Sequence, residues 1–266
     1  MLCAGAYTSA DLLLQGAYIR KCYKWGYYPQ TTHYENDDPM KYKNANQIDI
    51  LWCGRFIDWK HPEAAVELAL LLMRDNIDFK LTMIGTGERE EVIDSLIKKY
   101  QLEDRVKRVG SMLPDQVRCY MEKADIFLCT SDFQEGWGAV INEAMNSGCA
   151  VVASHAAGAV PYLIQNGKNG LIYQSGNLHS LHQKVTYLIK NHKYIRELGQ
   201  NAYESIVLEW NAKTATSRLL DLAEELKEHK YSNRYESGPC SVAQIISDHW
   251  FKEEKKIGGG FGGNGL

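Results

Sequence analysis

From residue 47 onward the chain repeats one pattern, in which a short apolar run is followed by a longer amphipathic stretch. Strands that alternate with helices predict a parallel sheet covered on both faces, so we expect a doubly wound, Rossmann-like α/β fold. The stretch HPEAAVELALLLMRD is typical of the intervening helices, because it has a proline near its start and an apolar stripe along its length. About six runs are predicted to be strands: QIDILWCG, FKLTMIGTG, RVKRVGS, ADIFLCTS, CAVVAS and NGLIY.

The two ends of the chain do not follow this repeat. Residues 1–46 are rich in tyrosine and basic residues and show neither a clean strand alternation nor a complete βαβ unit, so we interpret them as the end of another domain plus a linker. After residue 178 the chain is predicted to be mostly helical, which adds carboxyl-terminal helices to the fold. Residues 251–266 are glycine-rich and are predicted to form a flexible tail.

Charge and cysteine usage exclude several classes of protein. The net charge is -3 and the basic residues are scattered, which disfavours nucleic acid as a partner. The seven cysteines show no CxxC spacing, as expected in a reducing cytoplasm. The most apolar run, AAVELALLLM, is too short to span a bilayer and contains Glu67. No export leader is visible at the start of the chain.

Ligands of doubly wound sheets bind where the carboxyl ends of the strands lead into helices. The first such loop carries Gly54, Arg55 and, five positions on, Lys60. An arginine fork and a lysine point charge at one strand end can grip a diphosphate. An arbitrary pair of cations is more often a solvated surface pair, but the position before a helix amino terminus favours an anion site here.

The second loop, MIGTGEREE, contains half of a dinucleotide fingerprint. Gly85 and Gly87 follow a strand and precede a helix, but Glu88 comes next and no third glycine follows in phase. Tight strand-to-helix turns explain these glycines equally well. Glutamates at the helix start would repel a phosphate, so NAD is a poor candidate ligand.

The third loop is EGWGAVINE, in which two carboxylates flank a glycine-rich turn. If the helix begins near Gly138, then Glu135 lies just before it and Glu143 lies in its second turn. That separation suits two hydroxyl-bearing parts of one elongated ligand better than one metal ion or one shared proton. The alternative is that Glu135 only complements the helix dipole and that Glu143 is a solvated helix residue.

In order and spacing, the segments GRFIDWK, IGTGE, VGSM, EGWGAVINEAMNSGCAVVAS and NGLIY resemble the carboxyl-terminal half of the group 1 (family 4) glycosyltransferases. The resemblance covers residues 47–228 and implies a GT-B architecture of two Rossmann-like domains. It implies a nucleotide-sugar-binding domain at 47–208, crossover helices at 209–250, and a segment 1–46 that ends an acceptor-side domain. Within this family, the chain is similar to bacterial surface-polysaccharide enzymes.

The resemblance also implies roles for the site residues. Arg55 and Lys60 match the cations that bind the donor diphosphate, Glu135 matches the residue that faces the donor sugar, and Glu143 matches the ribose ligand. The other positions implied at the donor are the following: Gly54, Gly85, Gly87, Ser111, Met112, Gly136, Trp137, Gly138, Ala139 and Val140. The implied reaction is a retaining transfer of a sugar, without metal or cofactor, from a nucleoside-diphosphate sugar to a glycan or lipid-linked acceptor.

Two residues depart from the family pattern, since phenylalanine is common at Trp137 and glycine at His61. Most of an acceptor domain is also not represented, so the alternative hypothesis is a non-catalytic nucleotide-sugar-binding fragment or module. A nucleotide-sugar epimerase shares the fold, but the Glu-x₇-Glu arrangement argues against it. We expect a cytoplasmic protein, with any contact to the inner face of the membrane made through the acceptor domain.

Overall fold

The computed structural model describes residues 1–44, 47–228 and 231–253. Its centre is an all-parallel sheet of six strands with helices on both faces, which confirms the predicted fold class. Most of the predicted tail, residues 254–266, lies outside the described residues. The strands of this sheet are β3 (Asp49–Cys53), β4 (Lys80–Ile84), β5 (Val106–Arg108), β6 (Ile126–Cys129), β7 (Ala150–Ser154) and β8 (Leu171–Tyr173). They follow two short strands, β1 (Leu2–Ala4) and β2 (Tyr23–Trp25).

Nine α-helices connect or flank the strands in the described part of the chain. The second of them begins at Pro62, as its sequence predicted, because proline has no N–H to satisfy and its φ suits the first helical position. The helices are α1 (Thr8–Leu14), α2 (Pro62–Arg74), α3 (Glu90–Lys99), α4 (Pro114–Lys123), α5 (Ala139–Asn146), α6 (Val160–Leu163), α7 (Leu178–Ile189), α8 (His192–Leu208) and α9 (Ala212–Glu228).

The strand order β5-β4-β3-β6-β7-β8 places the switch point of the sheet between β3 and β6. The chain builds outward from β3 through β4 to β5, then returns to the middle and builds the other way from β6. Ile50 of β3 pairs with Ile126 of β6, and Trp52 pairs with Leu128. The loops that leave β3 and β6 therefore diverge to opposite faces and open a crevice between them.

Two hydrophobic cores lie on the two faces of the sheet. One packs α2, α3 and α7 against residues such as Trp52 and Met83. The other packs α5 and α6 against the opposite face, around Phe127 and Val151. The strands β6 and β7 are fully buried, which explains why their sequences are almost continuously apolar.

The amino-terminal segment is more regular than its sequence predicted. Strands β1 and β2 pair in parallel, with α1 between them, so the expectation that residues 1–46 contain no complete βαβ unit is wrong. Each strand has only three residues, and no period can be recognised over so short a length. The long-range pairing, rather than a local pattern, defines this unit.

The carboxyl-terminal segment returns to this amino-terminal unit. Helix α9 ends at Glu228, and residues 231–253 continue without further helix or strand. The N–H of Lys24 donates to the carbonyl of Ser241 at 2.7 Å, and the N–H of Ala243 donates to the carbonyl of Cys22 at 2.9 Å. The division of the chain into domains at residues 46, 208 and 250 stays a prediction.

Trp210 provides a test of the second core. Its ring stacks on Tyr162 with a centroid distance of 6.0 Å and only 3% of the residue is exposed. We expect Trp210→Ala to lower the free energy of unfolding by about 3–5 kcal/mol, because a large buried ring leaves a cavity. Urea titration followed by circular dichroism measures this change.

The matched control is Leu208→Ala, two residues away, where 73% of the residue is exposed. This variant should stay within about 0.5 kcal/mol of the wild type. Equal losses in both variants would mean that Trp210 does not hold the core together.

Candidate functional site

A cleft of about 660 Å³ opens at the carboxyl edge of the sheet, at the switch point between β3 and β6. Its volume is in the range of small-molecule sites. Most of the predicted site residues come together around it, although they are separated by up to 89 positions in the sequence. The predicted residues that line it are Gly54, Arg55, Lys60, Met112, Glu135, Gly138, Ala139, Val140 and Glu143.

An ion pair spans the two loops that leave β3 and β6. The ammonium group of Lys60 contacts Oε2 of Glu135, and each side chain is only 16% exposed. Water screens such a partly buried pair less than a surface pair, so the two groups hold each other in the cleft. A ligand with an anionic group and hydroxyls can separate this pair. Its anionic group then becomes the partner of Lys60, and one of its hydroxyls becomes the partner of Glu135.

A hydrogen bond from Thr130 holds the backbone of Lys60 in place. The hydroxyl of Thr130 donates to the carbonyl of Lys60 at 2.5 Å and accepts the indole N–H of Trp52 at 2.8 Å. Trp52 is buried in β3, and Thr130 follows β6. The position of the lysine is therefore set by both central strands of the sheet.

His61 occupies a position where the family pattern commonly has glycine, and its contacts show how a histidine is accommodated there. Its backbone lies in the left-handed region, with φ 45° and ψ 55°, which is where glycine is the ordinary choice. The imidazole compensates through its contacts, because Nε2 lies 3.0 Å from a carboxylate oxygen of Asp132 and Nδ1 lies 3.4 Å from Glu63. The histidine thus joins the β3 loop to the β6 loop a second time.

Helix α5 begins at the cleft, as the sequence predicted. Gly138 is its N-cap residue and has φ 91°, so the chain turns there into the helix, and the first two helical residues, Ala139 and Val140, line the cleft. Glu143 lies four residues after Ala139, the first residue of the helix, which is roughly 6 Å along the helix axis at 1.5 Å per residue. The two glutamates therefore lie at separate positions along one wall.

Burial raises the pKa of Glu143, and the nearby guanidinium of Arg118 partly opposes this effect. A partly desolvated carboxylate is a strong acceptor for ligand hydroxyls. The neighbouring thiol of Cys53 has its pKa raised to about 12 by burial and by Glu143. Burial also raises the pKa of Cys129, whose thiol lies in the core at the end of β6.

Arg55 is the exposed cation of the cleft. Its guanidinium lies over the ring of Trp59, 5.9 Å from the centroid, and it pairs with no carboxylate among the described residues. Arg55 and Lys60 therefore approach the cleft from the same loop, one solvated and one paired. Together with the start of α5 they make this end of the cleft attractive to an anion.

Five predicted residues do not line the cleft. Gly85 and Gly87 pack under the loop that carries Arg55, where a Cβ atom on Gly85 would lie 1.9 Å from the carbonyl oxygen of Gly54. Trp137 is 2% exposed and donates its indole N–H to Asn142 at 2.9 Å, so it supports the turn from within the core. Gly136 and Ser111 adjoin residues of the cleft. A contact between the donor and any of these five residues stays a prediction.

Sequence reasoning missed one side of the cleft. Pro29, Gln30 and Thr32 line it, although they precede the Rossmann-like repeat, and Arg118 lines it from α4. From the sequence alone, an arginine on the polar face of an amphipathic helix, such as Arg118, is predicted to be exposed to solvent. The amino-terminal residues carry no periodic pattern that could have placed them.

The profile of the family described as "Glycosyl transferases group 1" matches residues 34–205, which is well over half of the chain. The chain belongs to the group 1 glycosyltransferase family. The matched region contains the whole six-stranded sheet and both glutamates, which confirms the resemblance noted in the sequence.

Similar curated proteins include the amylovoran biosynthesis glycosyltransferase AmsK of Erwinia amylovora, which is 29% identical over 184 residues. This alignment covers 67% of the chain and 45% of AmsK. The poly(ribitol-phosphate) alpha-N-acetylglucosaminyltransferase of Staphylococcus aureus is 26% identical over 169 residues, covering 64% of this chain and 34% of that protein. The chain thus spans less than half the length of these relatives.

Among solved structures, that of Anabaena HepE in complex with UDP superimposes with a TM-score of 0.69 at 19% identity. The match covers 86% of this chain and 63% of HepE. The structure of TarM from S. aureus, in complex with UDP and other ligands, gives a TM-score of 0.68 at 20% identity, over 83% of this chain and 43% of TarM. These likenesses show the fold, which is that of GT-B glycosyltransferases.

Glu143 is predicted to reduce the stability of the fold. Burial raises the pKa of its carboxyl group, so the folded chain binds the carboxyl proton more tightly than the unfolded chain does. Ionisation of this carboxyl group therefore lowers the free energy of unfolding at pH values above the raised pKa. We expect Glu143→Gln to have a higher free energy of unfolding than the wild type at pH 8. The difference should shrink as the pH is lowered through the raised pKa, and urea titrations at pH 8 and pH 5 measure it.

Glu197→Gln is the control, since it makes the same charge change at an exposed position of α8. It should alter stability little at pH 8. A Glu143→Gln variant that is less stable than the wild type at pH 8 would show that the carboxylate stabilises the fold, contrary to this prediction.

Proposed function

We propose that this chain binds a nucleoside-diphosphate sugar in the cleft and forms the donor side of a retaining glycosyltransferase. The observation that carries the proposal is the arrangement of charges in the cleft, in which two cations and the start of a helix lie beside two carboxylates that are separated along one wall. A diphosphate fits the cations, and the hydroxyl groups on either side of it fit Glu135 and Glu143. In this arrangement the donor sugar lies at Glu135 and the ribose at Glu143.

The proposed chemistry develops negative charge on the diphosphate. As the bond between the anomeric carbon and the phosphate oxygen breaks, its electron pair goes to that oxygen. The acceptor hydroxyl forms the new bond on the same face of the sugar and gives its proton to the departing phosphate oxygen, so the configuration is retained. Arg55, Lys60 and the N–H groups at the start of α5 stabilise the departing diphosphate because they are already in place.

The comparisons support this proposal at the level of substrate class. HepE was crystallised with UDP-glucose, and AmsK is a glycosyltransferase of amylovoran biosynthesis. We propose that this chain likewise contributes to surface polysaccharide synthesis by transferring a hexosyl group to a glycan or lipid-linked acceptor. Within the described residues, no helix is long and apolar enough to cross a membrane. Action in the cytoplasm, at the inner face of the membrane, is part of the same proposal.

The reaction is proposed to need no metal ion, because the cations of the cleft are side chains. In the ranges 1–44, 47–228 and 231–253, no three His, Cys, Asp or Glu side chains converge as a metal site would require. Independence from metal ions stays a prediction, which a binding titration in the presence of a chelator can test.

Donor binding can be measured on this chain by calorimetric titration with UDP, GDP and ADP and with their glucose conjugates. We expect saturable binding of the nucleotides that carry one of the three bases. Arg55→Ala or Lys60→Ala should lower their affinity at least about tenfold, because each variant removes a charge-assisted contact to the diphosphate. Lys80→Ala is the control, since Lys80 lies at the amino end of β4, on the opposite edge of the sheet. Equal affinity in all variants would overturn the assignment of the diphosphate site.

Turnover provides a separate prediction for a complete protein that contains this chain. Removing one preorganised group that stabilises the developing negative charge lowers the rate roughly 10²–10³-fold. Arg55→Ala and Lys60→Ala should therefore each abolish most sugar transfer, measured as release of nucleoside diphosphate in the presence of acceptor. Wild-type rates in both variants would contradict the proposed mechanism.

A further inference from the structure

The loop between β6 and α5 lies against the amino-terminal unit formed by β1, α1 and β2. We name residues 135–138 of this loop the donor loop, because they carry Glu135 and lead into α5. The N–H of Gly158, in the segment after β7, donates to the carbonyl of Glu135 at 2.9 Å. The carbonyl of Gly158 in turn accepts the N–H of Ala6, which follows β1, at 2.9 Å. Backbone hydrogen bonds therefore connect the donor loop with the amino-terminal unit.

Gly5 brings the amino-terminal unit into direct contact with the donor loop. A Cβ atom on Gly5 would lie 2.3 Å from the carbonyl oxygen of Gly136, and one on Gly158 would lie 2.0 Å from the same oxygen. Both distances are far shorter than a van der Waals contact, so neither glycine can carry a side chain unless the loop moves. The carbonyl of Gly136 therefore occupies space that two glycines leave free.

Gly26 makes a second close contact, at the other end of the amino-terminal unit. It follows β2, and a Cβ atom there would lie 2.3 Å from both Cζ2 and Cη2 of Trp137. The φ of Gly26 is outside the left-handed region, so the space, and not the backbone conformation, requires glycine at this position. Cζ2 and Cη2 belong to the part of the indole that phenylalanine lacks. The size of the Trp137 ring and the missing side chain at Gly26 therefore fit each other.

The indole of Trp137 joins the amino-terminal unit to α5. The residue is 2% exposed, and its ring centroid lies 6.4 Å from that of Tyr27, next to Gly26. Its N–H donates to Oδ1 of Asn142 in α5 at 2.9 Å. Trp137 follows Glu135 by two residues and precedes the first residue of α5 by two. A displacement of the ring would therefore be passed to both of these parts of the site.

We propose that Trp137 and Gly26 are a pair of positioning residues that couples the amino-terminal unit to donor binding. The ring packs against Gly26 and thereby fixes the donor loop in the conformation that binds the sugar at Glu135 and the diphosphate at the start of α5. The indole acts through the loop, without touching the reacting atoms. The inference rests on the proposed function, because it names what positions the same site. Coupling of this kind is reciprocal, so a bound donor stabilises the contact with the amino-terminal unit.

The pair is tested by calorimetric titration of the intact chain with whichever of UDP-glucose, GDP-glucose and ADP-glucose binds the wild type. We expect Gly26→Ala to lower the affinity about tenfold, because the new methyl group displaces the ring of Trp137. Trp137→Phe removes the two atoms that this methyl group would meet. In the Trp137→Phe background, Gly26→Ala should therefore lower the affinity less than about twofold, which is the non-additivity expected of residues in contact.

Gly16→Ala is the control, because it adds a methyl group to the same unit at a position where, among the described residues, the new Cβ atom would meet nothing within 4 Å beyond its chain neighbours. This variant should bind the nucleotide sugar as the wild type does. Thermal melting of each variant shows whether it is folded. A folded Gly26→Ala variant with wild-type affinity overturns the inference, as does an equal loss of affinity in the two backgrounds or an equal loss in Gly16→Ala.

Hydrogen exchange on the wild type tests the reciprocal effect and needs no variant. The bound nucleotide sugar should slow exchange in the peptide that contains residues 24–28, and should leave the peptide around Gly16 unchanged. A purely structural contact would not respond to the ligand in this way. Unchanged exchange at residues 24–28 overturns the inference, even if Gly26→Ala does not fold.

The two proposals can fail separately. If the wild type binds none of the three nucleotide sugars, the proposed function fails and the inference falls with it. If one of them binds and Arg55→Ala weakens it while a folded Gly26→Ala variant does not, the donor site stands and only the role of Gly26 and Trp137 is wrong.

Discussion

The pairing of β3 with β6 is the constraint on which the cleft depends. These strands are far apart in sequence, yet their register pairs Trp52, near the end of β3, with Leu128, near the end of β6. The loops that follow must then share one edge of the sheet, and the contact between Lys60 and Glu135 is a direct result. If β6 paired at another edge of the sheet, the same residues would be present without forming a site.

The core of the fold could be predicted from the sequence because each strand and helix there has a strong local signal. The runs DILWC, IFLC and AVVAS are short, apolar and bounded by polar turns, so their identity as buried strands follows from their composition. The start of α5 could be predicted for a similar reason, since Gly138 is followed at once by a helical pattern. The gathering of Arg55, Lys60, Glu135 and Glu143 followed from the rule for switch points.

The rest depended on contacts that have no local signal. The βαβ unit at the amino terminus is held by three residue pairs and by the returning segment 231–253, and neither can be recognised from a window of sequence. Thr32 is held by Asn146, more than a hundred residues away, and Arg118 differs from a solvated helix residue only in its partners. The burial of Trp137 and the packing of Gly85 and Gly87 against the β3 loop could not be decided from the sequence, because glycine-rich loops predict close contact without indicating whether a ligand or the backbone makes it.

The left-handed backbone at His61 has a consequence for the thermodynamics of ligand binding. A non-glycine residue in this conformation costs roughly 1–2 kcal/mol, and the contacts of the imidazole with Asp132 and Glu63 offset it. The loop is therefore ordered before any ligand arrives, whereas a glycine would leave it more conformational freedom to lose. Association at Lys60 should accordingly carry a smaller entropic penalty than it would in a chain with glycine at this position.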